Sequence, residues 1–323
     1  MSEAGAAKRE VHVAVAVIER DGRVLIARRP DHAHQGGLLE FPGGKVEPGE
    51  TVQQALVREI AEETALVVPE VSLEPVIGIR HDYGDKRVFL DVWRTCEAQG
   101  APQGCEGQPI DWIRPEQLQD EDFPAANRPI IRAVRLPSLL AISPSLSSVR
   151  EYAGGFAGAL GQCRPELLVL RAPELEDGDY RALLESVLPV CRAAGVGLIV
   201  HGGPDRFAVA PGVAGLHLPW REAELLGCRP VPADVWLGVS CHSAKQIAQA
   251  EKLGADYVTL GPVRPTPTHP EARGIGWDEF EQITAQARVP VFALGGLVAA
   301  DVPRARRAGG QGVAGIRFWW PGD

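Results

Sequence analysis

Apolar positions in the first part of the chain follow a strand pattern and then a helix pattern. In residues 11–30, VHVAVAVIERDGRVLIARRP, Val and Ile recur on both sides of Asp21-Gly22. That pair tolerates positive φ, so the segment predicts a β-hairpin. Residues 38–50, LLEFPGGKVEPGE, read as a short strand entering a loop with two glycines and Pro48-Gly49. Thr51 then opens a helix. Thr51 and Gln54 match a capping box, and Ala55, Leu56, Ile60 and Ala61 mark an apolar stripe. Further strands are predicted near 75–80 and 87–95, and residues 115–135 read as a loop and a short helix.

The second part keeps a different rhythm. Short apolar runs occur at Leu139–Ser143, Leu167–Arg171, Gly197–Val200, Gly215–Leu218, Val235–Ser240, Tyr257–Gly261, Val289–Leu294 and Gly312–Phe318. Most of the stretches between them suit a helix, as in Tyr180–Ala194 and Ser243–Leu253. Eight strand-like runs with mostly helical connections predict a (β/α)8 barrel. The joint falls near Pro137, which gives an α/β domain over 1–136 and a barrel over 137–323.

Composition adds constraints. Hydrophobic residues make up 45% and charged residues 23% of the 323, the balance of a globular protein. The 36 Gly and 27 Pro point to many tight connections. No window holds the roughly 18 uninterrupted apolar residues of a membrane span. Lys8, Arg9 and Glu10 stand where a signal peptide needs its apolar stretch. The expectation is a soluble, cytoplasmic protein without a membrane partner. Six cysteines form no CxxC pair, which argues against a zinc site or a disulfide framework. The net charge of −9 is uneven: residues 1–136 hold 16 Lys and Arg against 23 Asp and Glu. Such a surface disfavours nucleic-acid polymer. An acidic site for a phosphorylated small molecule needs a divalent cation between the charges.

One segment carries chemistry. In GKVEPGETVQQALVREIAEETAL, residues 44–66, Glu59, Glu62 and Glu63 recur at i, i+3 and i+4, on one helical face. A bare E-x-x-E-E reads as a solvated acidic face. Like charges at that spacing repel, so concentrating them calls for a compensating partner, and Mg2+ prefers such oxygen ligands. The glycines before the helix would let backbone approach a phosphate. The full register decides between these readings. Gly44, Glu50, Arg58, Glu59, Ile60, Glu62, Glu63 and Leu66 match the Nudix box G-x5-E-x7-R-E-U-x-E-E-x-G-U, where U is a bulky apolar residue. Ala65 departs from the box glycine, which suits a left-handed residue at a helix end; the change removes no carboxylate.

The segment thus resembles Nudix hydrolases, and more closely the MutT-like 8-oxo-dGTP diphosphatases. The resemblance implies an α/β/α sandwich with a mixed sheet and hydrolysis of a nucleoside triphosphate to a monophosphate and pyrophosphate. It implies Mg2+, or Mn2+, held by Gly43, Glu59, Glu62, Glu63 and Glu106, with the helix glutamates catalytic. By the match of residues 27–50, Arg29, His34, Glu40, Phe41, Pro42 and Gly43 would contact the nucleotide. By the match of DFPAANR at 122–128, Asn127 would read the purine edge. Its amide offers both a donor and an acceptor. His12, His81 and the tryptophans read as structural, and Arg304, Arg306 and Arg307 as a solvated helix face.

The second part resembles thiamine phosphate synthases and their thiazole tautomerase (TenI-like) relatives, through GVSCHS at 238–243, GADYVTLGPVRPTPTHP at 254–270, PVFALGGL at 290–297 and GVAGI at 312–316. The resemblance implies a phosphate pocket at Thr266, Thr268, Gly295 and Gly296, suited to a thiamine-related phosphate ligand. The departures imply that the synthase reaction is lost. Val169 and Pro173 replace a Gln and a Lys, His201-Gly202 replaces Asn-Asp, Pro219-Trp220-Arg221-Glu222 replaces Gly-Gln-x-Asp, and His269 replaces a Lys. Without those groups a pyrophosphate leaving group lacks its charge clamp.

Overall fold

The computed structural model describes residues 10–320 apart from 33–34, 85–86, 147 and 266–272. It divides into two units, Met1–Leu136 and Pro137–Asp323. In the first, the expected hairpin forms from β1 (Glu10–Arg20) and β2 (Arg23–Arg28). Asp21 and Gly22 turn the chain at φ 51° and 68°, as a primed hairpin turn requires. The chain continues through β3 (Leu39–Glu40), β4 (Gly43–Lys45), α1 (Val52–Thr64), β5 (Glu74–Asp82), β6 (Arg87–Thr95), β7 (Ile110–Ile113) and α2 (Arg128–Arg135). The sheet runs β3-β2-β1-β6-β5, with β4 also paired to β1 and β7 to β2. Only β1 and β6 pair in parallel, so the sheet is mixed.

The VAVAVI run of β1 is buried on both faces, which is why it is nearly continuous in apolar residues. Ala14, Ala16 and Ile18 meet Ala55, Leu56 and Ile60 of α1 on one side. Val15 and Val17 meet Ile130, Ile131 and Ala133 of α2 on the other. Burying a Leu or Ile side chain stabilises by about 1.5–3 kcal/mol. The apolar stripe of α1 therefore holds the helix in place and leaves its polar face free to carry charge. Thr51 and Gln54 form the expected capping box. Ala65 ends the helix in the left-handed region at φ 57°, at a cost of roughly 1–2 kcal/mol.

In the second unit the strands are β8 (Leu139–Ile142), β9 (Leu167–Leu170), β10 (Gly197–His201), β11 (Gly215–Leu218), β12 (Trp236–Cys241), β13 (Tyr257–Leu260), β14 (Val291–Leu294) and β15 (Gly312–Gly315). They close into a barrel in chain order, each pair parallel. The helices are α3 (Val149–Gln162), α4 (Asp177–Ala193), α5 (Pro204–Ala208), α6 (Trp220–Ala223), α7 (Ala244–Leu253), α8 (Gly276–Thr284) and α9 (Val302–Arg307). Alternate strand residues such as Leu168, Leu198, Leu216, Leu237 and Val258 pack beneath the helices. The other strand face carries polar groups: His217 hydrogen-bonds Tyr257 Oη at 3.1 Å and Ser240 Oγ at 2.9 Å. Gly238 makes room for that pair, because a Cβ there would lie 2.5 Å from both His217 Nδ1 and Tyr257 Oη. The expected solvated arginine face is only partial. Arg304 lies over the Trp277 ring at 5.1 Å, and Arg306 is half-buried. Among the described residues no helix is long and apolar enough to cross a membrane.

Candidate active site

The charge on α1 is organised by one arginine. Arg58 donates through Nε and Nη2 to both Glu50 oxygens at 2.8 and 2.9 Å. Through Nη1 it donates to Glu59 Oε1 at 2.8 Å and Glu62 Oε2 at 3.3 Å. The two bonds from Arg58 hold the Glu50 carboxyl down at about 2, and the same fork pushes the guanidinium's own proton affinity up. The partner that offsets the like charges is thus a residue of the same motif.

Glu63 has a different environment. Its Oε2 accepts the Gly43 N–H at 3.0 Å. Burial pushes its carboxyl up to about 7; the Gly43 N–H opposes the rise, and the charges of Glu40, Glu59 and Glu106 add to it. Gly43 sits at φ 145°, and a Cβ there would lie 2.2 Å from Ala14 O. A Cβ on Gly44 would lie 2.2 Å from the Glu59 carboxylate. Close packing against β1 and Glu59 requires both glycines, and Glu63 already takes the Gly43 N–H.

The i, i+3, i+4 spacing is only partly realised as one site. Glu59 and Glu63 lie against β4, whereas the Glu62 side chain is 60% exposed and tied to Arg58. Among the described residues no three His, Cys, Asp or Glu side chains gather into a ready-made metal site. The donor chemistry nevertheless fits a hard divalent cation. The donors are carboxylate oxygens, and Glu63 sits among other carboxylates with a backbone N–H as its hydrogen-bond donor. Glu106 stands exposed on the loop before β7, and its charge acts on both Glu40 and Glu63.

Around this face, Arg29 and Glu40 form an ion pair across β2 and β3. Burial raises the Glu40 carboxyl despite Arg29, and Glu106 adds to the rise. Phe41 and Pro42 are buried; Phe41 packs on Phe123 at 5.7 Å, and Pro42 O accepts the Ala16 N–H at 2.8 Å. Of Glu40–Gly43, then, Glu40 is the residue whose side chain is not in the core. The Phe41–Phe123 contact joins that segment to the one carrying Asn127. Asn127 is half-buried at the N-cap position of α2, yet its side chain makes no capping bond. His34 lies outside the described residues. Two residues passed over in the sequence also belong here. Tyr83 is half-buried and feels the Arg29 charge. Gln108, two residues after Glu106, hydrogen-bonds Glu63 O and the Glu106 N–H.

The barrel mouth has the opposite character. His201, at the end of β10, stacks 5.9 Å from His217. Burial keeps its imidazole well below the usual range, and His217, Arg171, Arg206 and Arg221 push the same way. Burial alone takes His217 down to about 3. Gly202 has φ 143°, and a Cβ there would lie 2.6 Å from Arg206 Cδ. Arg206 fills that space, donating to Asp177 at 3.0 Å and Leu175 O at 3.1 Å and stacking on Tyr180 at 4.1 Å. Gly295 and Gly296, at φ 104° and 66°, let the loop after β14 pack on the segment after β13. A Cβ on either would press on Pro262 or Arg264 at 2.6 or 2.9 Å. Thr266, Thr268 and His269 lie outside the described residues.

Comparison with known proteins divides the chain in the same two halves. The family profile described as "NUDIX domain" matches residues 13–133, and that described as "Thiamine monophosphate synthase" matches residues 147–318. An "8-oxo-dGTP diphosphatase" of Escherichia coli (strain K12) is 37% identical over 39% of this chain and 98% of its own length. A "CTP pyrophosphohydrolase" of the same organism is 37% identical over 38% of this chain and 90% of its own. A "Thiamine-phosphate synthase" of Bacillus velezensis is 33% identical over 43% of this chain and 63% of its own.

Proposed function

The chain belongs to the Nudix family over residues 13–133 and to the thiamine monophosphate synthase family over residues 147–318, and on that premise we propose that its N-terminal unit hydrolyses 8-oxo-dGTP to 8-oxo-dGMP and pyrophosphate. The observation that carries the reading is Glu63, a half-buried carboxyl on the Gly43 N–H beside Glu59, with surplus negative charge from Glu40 and Glu106. Glu59, Glu62, Glu63 and Glu106, with the Gly43 carbonyl, would hold the cations. Mg2+ or Mn2+ bound there supplies charge against the polyphosphate and acidity that favours loss of a proton from the attacking water. Arg58 keeps Glu50 ionised and, through its hydrogen bonds, orients Glu50, Glu59 and Glu62. Glu59 is the residue we assign to receive the water's proton. Arg29, His34 and Glu40 would contact the nucleotide, and Phe41 and Pro42 would wall its site. Asn127 supports base reading because its amide is not used as a helix cap. The test is pyrophosphate release with purified protein, Mg2+, and a panel of oxidised and normal nucleotides. Preference for 8-oxo-dGTP is expected; preference for CTP, which the equally similar second E. coli relative favours, would replace this substrate.

The barrel is proposed as a phosphate-binding module without synthase activity. Gly202 and Arg206 occupy the ground where the synthase resemblance puts a carboxylate, and three arginines act on His201. Incubating the full chain with both thiamine precursors and Mg2+ should yield no thiamine phosphate. Sustained product formation would restore a bifunctional enzyme.

A further inference from the structure

The loop that carries Glu106 is stitched to the last turn of α1. Gln103 N–H donates to Thr64 O at 2.9 Å, Cys105 N–H to Glu63 O at 3.0 Å, and Gln108 Nε2 to the same Glu63 O at 3.0 Å. These carbonyls belong to the four that a helix end leaves without intrahelical partners. Gln108 also faces the loop, where its Oε1 accepts the Glu106 N–H at 2.8 Å. A glutamine amide holds a donor and an acceptor side by side, so one side chain satisfies both ends. Reversing the amide would set N–H against N–H and oxygen against oxygen, so the pair of contacts fixes its orientation. The turn is tight as well: a Cβ on Gly104 would lie 1.8 Å from Gln108 O, and Gly107 N–H bonds Gly104 O at 3.2 Å.

We propose that Gln108 is a positioning residue for divalent-cation binding, clamping the backbone of Glu106 to the end of α1 so that Glu106 and Glu63 act on one cation. The proposal rests on the reading of Glu63 and Glu106 as cation-holding residues. Gln103 and Cys105 keep the loop near the helix without Gln108, but neither touches the Glu106 N–H through its side chain. Removing the Gln108 amide should therefore free Glu106 while the rest of the loop stays.

The test is Mn2+ titration of the full chain, with free ion followed by electron paramagnetic resonance and melting measured in EDTA. Gln108→Leu should weaken Mn2+ binding by about ten- to a hundredfold, the usual effect of losing a group that orients a ligand. Glu106→Gln should weaken it comparably. Adding Gln108→Leu to Glu106→Gln should cost no further affinity, because the amide acts through Glu106. An additive double variant, or unchanged affinity in Gln108→Leu, overturns the proposal. No weakening in Glu106→Gln sinks the cation reading of Glu106 and the proposal with it, whereas weakening there alone sinks only the role of Gln108. Should Gln108→Leu fail to fold, Gln108→Ala replaces it. Failure of both in EDTA overturns the proposal by making the amide a prop of the fold.

Discussion

At Glu63 the N-terminal unit keeps a half-buried carboxyl among three other carboxylates, whereas at His201 and His217 the barrel keeps two buried imidazoles beside three arginines. Both arrangements pay a desolvation cost, and both crowd charge of one sign. The carboxyl is raised by burial and by its neighbours, which is what a site needing added positive charge looks like. The imidazoles are held neutral instead, and His217 is satisfied by Tyr257 and Ser240. A buried group with all its hydrogen bonds made is the mark of architecture. The contrast separates a site that lacks a charge partner from a polar core whose central imidazole, His217, has both ring nitrogens hydrogen-bonded, although the buried Thr259 hydroxyl has no hydrogen-bond partner.

The largest expected effect tests the acidic side. Glu63→Gln keeps an oxygen for the Gly43 N–H, so the unit should stay folded. Turnover at saturating Mg2+ should fall by about 10²–10⁴-fold, the range for losing a positioned acid–base or charge-bearing group. Near-normal turnover would break the comparison, because the surplus charge at Glu63 would then have no chemical consequence.

The next test uses proton linkage, which should run in opposite directions in the two units. The Glu63 carboxyl titrates at about 7 when folded against an ordinary 4.5. Its contribution to stability is complete below about 4.5 and is lost as pH rises through about 7. His217 titrates at about 3 when folded against an ordinary 6.5, and His201 is lowered too. Their contribution is present above 6.5 and is lost as pH falls below it. Each group changes stability by up to about 1.4 kcal/mol per pH unit inside its window. Scanning calorimetry in EDTA from about pH 5 to about pH 8 should lower one transition and raise the other. Glu63→Gln should flatten only the falling one. Two transitions moving together would end the contrast. Glu50, held at about 2, titrates below this range and does not disturb it.

These contrasts were unevenly legible in the chain itself. The hairpin could be read because Asp21-Gly22 and the flanking Val and Ile are local signals, and the eight barrel strands because each is a short apolar run. Strand β7 could not. Ile110–Ile113 is four residues with an aspartate, and its pairing with β2 lies more than eighty residues away in the chain. The glutamates of α1 were found by spacing, but spacing could not say that Glu62 turns outward or that Arg58 gathers three of the four motif carboxylates. Those depend on where β4 meets the helix. Gln108 was invisible for a similar reason, since its partners are a helix-end carbonyl forty-five residues away and the loop's own backbone.

A smaller effect sharpens what the acidic unit recognises. Asn127→Ala should leave the glutamates and the Phe41–Phe123 contact untouched. Losing one or two base hydrogen bonds should cost about 1–3 kcal/mol, mostly for the oxidised base. The ratio of kcat/KM for 8-oxo-dGTP over dGTP should therefore shrink roughly ten- to a hundredfold, since 1.4 kcal/mol is a factor of ten. An unchanged ratio would leave Asn127 as a loop residue and move base selectivity elsewhere.

The smallest effect lies at Ala65, which ends α1 at φ 57° with its N–H on Ala61 O at 3.1 Å. A β-carbon in that conformation is crowded by the following carbonyl and costs roughly 1–2 kcal/mol, a cost glycine does not incur. Ala65 is exposed, so Ala65→Gly removes no buried contact. Glycine gives the unfolded chain more freedom, which returns about 0.4–1 kcal/mol of the gain. The net stabilisation should be about 0.5–1 kcal/mol, a rise of about 2–8 °C in the melting of a unit this size. That rise should appear in the N-terminal transition alone, with the barrel as internal control. Turnover should hold, because Glu63 keeps its Gly43 bond and the loop that caps the helix end is unchanged. A transition that stays put or falls would mean that the loop already relieves the strain at Ala65, and that the helix end and the Glu106 loop are one structural element.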